Sequence, residues 1–389
     1  MIRSVLNLHR ISRTGFRNLR ILASPQMGIE YNSSTNDYNS NKENSRRSSG
    51  KRYGNIFLLA SIWVTIKDYF NIEKVPTNDD PFRKLVKKAW FCTRDNKFEE
   101  AIQILEDALK IAIESKNEEV ITRVYSELGD TYFKMGDNDK AEEYYREILQ
   151  RYIEVHKHKD SHPAFITTSI KLATVFANKG NLDSAEMGMK HCIKKQMKNV
   201  DEHLKKHIVA HGANYEVSNI VDTRSFEYTD PLALFGYALN TYAHFLVNNR
   251  DENMLGEAQE CMDESLKIAS QIYGSRSMHL INMLNNFSLD CIMKEYYITA
   301  RKYLEIGINR VINLTDNNDL IVRYYCNYAE VLLHTGEYDK AQEYAEKAVT
   351  FSKNGGEDIQ KLASDCLSFI KRKVKVLKKG ERTKWFYFF

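Results

Sequence analysis

One pattern recurs six times between residues 82 and 355, and it limits what this chain can become more than any other feature. The clearest copy is VYSELGDTYFKMGDNDKAEEYYREIL (124–149), inside a unit of about 34 residues that starts at Thr122. Tyr125, Leu128, Gly129, Tyr132, Ala141 and Tyr145 stand at positions 4, 7, 8, 11, 20 and 24 of that unit. Small residues at 8 and 20 let two helices approach closely, and the aromatics fill the space between them. The frame repeats at Ile166 (Leu172, Ala173, Phe176, Gly180, Ala185), at Ile281 (Leu284, Ser288, Cys291, Ala300) and at Val322 (Tyr325, Ala329, Leu332, Gly336, Ala341). Weaker copies start at Phe82 (Leu85, Ala89, Cys92, Ala101) and near Gly236 (Asn240, Ala243, Leu246, Ala258). A unit of this length cannot bury its apolar face alone, so the copies must stack.

This is the pattern of the tetratricopeptide repeat. The resemblance implies an all-α fold: a right-handed solenoid of about six helix-turn-helix repeats. Composition agrees, since only 5 prolines and 17 glycines serve 389 residues, while 23 tyrosines and 18 phenylalanines supply packing volume. Gly136, Gly180 and Gly336 fall at position 15, where the first helix of a unit must end and the chain turn. Pro81, Pro163 and Pro231 are expected just ahead of repeat helices, with none inside one. Residues 200–235 depart from the period and should form an irregular connection between the third and fourth units. DIQKLASDCLSFIKRKVKVL has apolar residues at helical spacing, so a helix over 357–379 should cap the open end of the array (82–355). The tail 380–389 is basic and then aromatic, an ending suited to docking on a membrane or on the body itself.

Charge is segregated. Residues 1–52 hold ten lysines and arginines against three acids, residues 371–389 eight against one, and the 53–370 body 38 against 48. An acidic body is a poor nucleic-acid surface, because duplex affinity comes mainly from neutralising phosphates. Residues 1–24 carry five arginines and no acid, interleaved with leucine, isoleucine and Phe16, the composition of a mitochondrial targeting sequence. The Asn/Ser-rich stretch 25–52 reads as a disordered tether. Within 53–70, NIFLLASIWVTI (55–66) is shorter than the roughly 20 apolar residues of a spanning helix. It is a membrane-contact segment that could lie at the interface, span with snorkelling flanks, or pack on the body.

Catalytic chemistry finds no footing. There is no glycine-rich phosphate loop and no G-x-S-x-G elbow. The six cysteines are scattered, without a C-x-x-C pair, and sit mostly at packing positions. His203, His207 and His211 could share one helix face, yet the outer two would be about 12 Å apart along the axis, too far for one ion. A loop carries His156, His158 and His162, read as solvated. No enzyme, cofactor or metal is expected. What remains is the surface lined by positions 2, 5, 6 and 9 of the first helices. In the later units it presents Asn240, His244, Asn282, Asn285, Asn286, Arg323, Asn327 and Glu330. Asparagine is a poor helix former, and an amide that donates and accepts suits a peptide backbone. The same amides could instead bridge neighbouring repeats. The two-lysine, two-asparagine, one-arginine clamp with which some arrays hold a C-terminal carboxylate is missing: its positions carry Val86, Trp90, Glu127, Thr167 and Lys171.

The order of the units and the blocks KFEEAIQILEDALKIA, SIKLATVFANKGNLDSAE, LNTYAHFLV, SLKIASQIYGSRSMHLINML and CNYAEVLLHTGEYDKAQEYAEKAV resemble the tetratricopeptide repeat protein 19 family over roughly residues 97–352. That resemblance implies a factor on the matrix side of the mitochondrial inner membrane that binds subunits of respiratory complex III, including the Rieske iron–sulfur protein. Its role there is to aid clearance of that subunit's N-terminal fragments. The family supplies no agreed catalytic residues. The alternative is a cytosolic cargo adaptor like kinesin light chain, whose groove also carries asparagines but which has no use for a presequence.

Overall fold

The computed structural model describes residues 81–211, 226–312 and 318–386, with backbone only at 81, 83, 203–211, 226–230, 318 and 378–386. The expected targeting sequence, tether and membrane-contact segment lie outside these residues. Six antiparallel hairpins follow one another: α1 (Pro81–Arg94) with α2 (Phe98–Glu114), α3 (Glu118–Met135) with α4 (Asn138–Glu154), α5 (Pro163–Asn178) with α6 (Leu182–His211), α7 (Phe226–Asn249) with α8 (Leu255–Tyr273), α9 (Met278–Met293) with α10 (Tyr297–Val311), and α11 (Asn318–His334) with α12 (Tyr338–Ser352). A single long helix, α13 (Glu357–Phe386), closes the series, and no strand occurs among the described residues.

Local chemistry sets the boundaries. Gly136, Gly180 and Gly336 have φ of +94°, +81° and +86°, the left-handed conformation that ends a helix at least cost in a residue without a Cβ. Asn117, Asp137 and Ser277 accept backbone N–H bonds at the starts of α3, α4 and α9. Proline opens α1 and α5, where its missing N–H costs nothing.

Pro231 departs from expectation. Helix α7 starts at Phe226, so this proline lies inside it rather than ahead of it. Its lost N–H falls just beyond the first turn, whose donors are free in any helix. Tertiary contacts make this tolerable. The fully buried Gln196 of α6 donates to the Pro231 carbonyl at 2.8 Å, and Leu232, Phe235 and Leu239 pack against Val200 and Ile268.

Two large cores meet in α5. Leu172 and Val175 belong to the core of the first two hairpins; Ile166, Ile170 and Ala173 belong to the one that runs on to Val374. The units therefore form one continuous stack rather than two separate blocks. Along most of it the first helices of successive hairpins touch one another, while second helices meet only marginally among the described residues. The first helices thus line the narrower, inner side.

Candidate functional site

The inner side is built from the polar residues that the first helices carry at corresponding positions, and three bridges cross it. In the first, Asp130 Oδ1 accepts from the Tyr145 hydroxyl and from Lys171 Nζ, both at 2.8 Å, tying α3 to α5. The Lys171 and Asp130 side chains are 7% and 13% exposed, so this ion pair is largely desolvated. Burial and the Asp130 charge push the Tyr145 hydroxyl well above its ordinary range, which keeps it a donor. In the second, Asp290 Oδ2 takes both His244 Nδ1 and Asn248 Nδ2 at 2.6 Å, tying α7 to α9. In the third, Asn327 Nδ2 donates to Asn285 Oδ1 at 2.9 Å, tying α9 to α11.

Three of the eight residues singled out from sequence, His244, Asn285 and Asn327, are therefore engaged between hairpins. A fourth, Asn240, is 2% exposed, and its Oδ1 has no hydrogen-bond partner among the described residues. It borders an otherwise mostly apolar cleft of about 20 Å³ with Tyr273, His279 and Met283, room for about one water. Of the other four, three form the accessible part of the patch and one, Asn286, is buried beside them. Arg323 is exposed, Asn282 and Glu330 are half-buried, and Asn286 is 9% exposed. None of the four has a hydrogen-bond partner among the described residues. Burial raises the Glu330 carboxyl above its usual range, opposed by nearby His334, whose ring stacks on Tyr297 at 3.9 Å. This patch offers amide donors and acceptors, one guanidinium and one carboxyl that favours a donor.

At the positions of the missing carboxylate clamp, Val86, Glu127, Thr167 and Lys171 are all buried. Among the described residues no group of three or more histidines, cysteines or acids is arranged to hold a metal ion. The side chains of His203, His207 and His211 lie outside the described residues. His158 and His162 stack at 3.8 Å, and His162 is not free: its Nδ1 accepts from the Ala164 N–H as the cap of α5. Burial, with charge repulsion from His158 and His156, holds its pKa down to about 4. All six cysteines are free thiols, and burial raises those of Cys92, Cys192, Cys261 and Cys291, which argues against nucleophilic use.

Tetratricopeptide repeat family models match residues 83–154, 120–194 and 322–354. Over 266 residues, 68% of each chain, the sequence is 23% identical to "Tetratricopeptide repeat protein 19, mitochondrial" of Rattus norvegicus. Over 300 residues it is 21% identical to the Drosophila melanogaster homologue of the same name, covering 77% of this chain and 74% of that one. The chain is a tetratricopeptide repeat array similar to the proteins named protein 19. Among solved structures, BtubC (BKLC) from P. vanneervenii is similar at 17% identity, over 72% of this chain and 94% of that chain, with a TM-score of 0.46.

Asp130, Asn248 and Asp290, which complete the bridges of this tetratricopeptide repeat protein, are absent from the set chosen by groove position. A signal for Asp290 exists in SLDCI: an acid flanked by apolar residues in a core helix needs a partner. The partner's identity lies more than forty residues away.

Proposed function

We propose that this chain is a non-enzymatic scaffold on the matrix side of the mitochondrial inner membrane. It binds respiratory complex III, including the Rieske iron–sulfur protein, and aids removal of that subunit's N-terminal fragments, so that the complex is assembled and maintained. Sequence similarity to relatives named mitochondrial, across about two thirds or more of both chains, carries this reading. The arginine-rich first 24 residues support import. The patch of Asn282, Asn286, Arg323 and Glu330 supports peptide binding rather than chemistry, since amides and a fixed cation recognise an extended backbone without activating a bond.

Import of the radiolabelled chain into isolated mitochondria, followed by carbonate extraction and affinity capture, tests it. Protease protection inside the inner membrane, with co-recovery of complex III subunits, is the expected result. Exclusion from mitochondria with recovery of kinesin heavy chain would replace this reading by the cytosolic adaptor.

A further inference from the structure

The thiols of Cys326 and Cys366 hydrogen-bond each other across the contact between α11 and the closing helix α13. No other pair of cysteines does so among the described residues. Cys326 is buried in the core of the last hairpin, and Cys366 is half-buried against that core. Ala363 and Ile370, three residues before Cys366 and four after it, are fully buried, so Cys366 shares the face by which α13 is held. A disulfide needs Cα atoms within about 7 Å and side chains that converge, a demand that thiols already in contact come close to meeting.

The two thiols are unequal. The hydrogen bond from Cys326 holds the Cys366 thiol below its ordinary range, against burial and the Glu330 carboxylate. The same bond, with burial, holds Cys326 above that range, while the exposed Arg323 guanidinium pulls it the other way. Cys366 is thus the more accessible sulfur and the one biased toward thiolate, the form that oxidants attack. Cys326 stands beside it as the second sulfur. The other four cysteines each lack such a neighbour and keep raised thiols.

We propose that Cys326 and Cys366 are a reversible redox pair, oxidised by hydrogen peroxide, whose disulfide staples α13 to the last hairpin. The Cys366 sulfur attacks one peroxide oxygen, the O–O bond breaks, and the departing hydroxide takes the proton that the thiol gave up. Cys366 is then a sulfenic acid and one water has formed. The Cys326 sulfur attacks the Cys366 sulfur, the S–S bond forms, and the S–O bond breaks. The hydroxyl leaves as a second water with the Cys326 proton. Two electrons pass from the thiols to the peroxide, and a dithiol reductant reverses the bond by exchange. The bond closes a loop of forty positions and so restrains the end of the array. It does not depend on what the inner patch binds.

The test treats the reduced full chain with hydrogen peroxide, denatures it into N-ethylmaleimide and maps its peptides without reduction. The expected product is one cross-linked pair holding Cys326 and Cys366, lighter by the two thiol hydrogens and undone by dithiothreitol. Cys92, Cys192, Cys261 and Cys291 should be recovered alkylated. In Cys326→Ser the Cys366 sulfenic acid should persist and be captured by dimedone. Amide exchange in α13 should slow at least about tenfold in the oxidised chain. Recovery of Cys326 and Cys366 both alkylated after peroxide overturns the proposal. So does a Cys366 bridge to another cysteine or to a second chain, or unchanged exchange in α13.

Discussion

Lys171 illustrates how a polar side chain on the inner face is committed to the fold. Its charge is buried, and the Asp130 carboxylate meets it at 2.8 Å. Asp130→Ala should cost about 3–5 kcal/mol, because it removes one partner of a largely desolvated ion pair. Asp130→Ala with Lys171→Met should recover most of that loss in urea unfolding monitored by circular dichroism. Histidine supplies a pH signature. Burial holds His279 down to about 4, as it does His162, against an ordinary value of 6.5. Between those values the unfolded chain takes up protons that the folded chain refuses. Stability is therefore fully present above pH 6.5 and declines as pH falls toward 4. Urea midpoints at pH 7.5 and pH 5 should show that decline, and His279→Phe should reduce it. None of these pairings is legible from spacing. Asn285 and Asn327 occupy inner positions, where spacing allows either a peptide contact or a bridge between repeats; that they bond one another depends on the approach of α9 and α11. The turn glycines were legible, since a positive φ is a demand made within the residue itself.

Elements are governed by close approach. A Cβ on Gly129 would lie 2.9 Å from Tyr145 Cε1, so the position-8 glycine holds α3 and α4 together. Gly129→Val should destabilise by about 2–3 kcal/mol through overpacking, read as a lower thermal midpoint. Such positions stand out in sequence because the hairpin imposes them in every unit. Helix ends are less legible. Expectation stopped α13 at residue 379, yet it runs to Phe386, because no proline interrupts it and Gly380 is only a mild breaker. Pro231 fails in the same way: local preference starts a helix just after it, whereas α7 begins at Phe226, with Gln196 and the surrounding apolar side chains holding the proline inside it. Gln196→Leu removes the donor to the Pro231 carbonyl and should cost about 1–3 kcal/mol. Amide exchange in α7 should quicken more than in α3.

The stack as a whole buries a run of adjoining apolar cores while it turns a strip of amides inward, and that division of labour is the basis for reading it as a holder of polypeptides. Repeat arrays are close to one-dimensional, so damage at one hairpin should stay local and leave distant units folded. The inner patch can then be interrogated without losing the protein. A photo-crosslinking residue at Asn286, on the inner patch, and another at Met293, exposed at the end of α9, give the most direct comparison in isolated mitochondria. Adducts with complex III subunits formed from position 286 and not from 293 are the predicted result. Equal labelling from both positions, or adducts from 286 that contain no complex III subunit, would contradict the account.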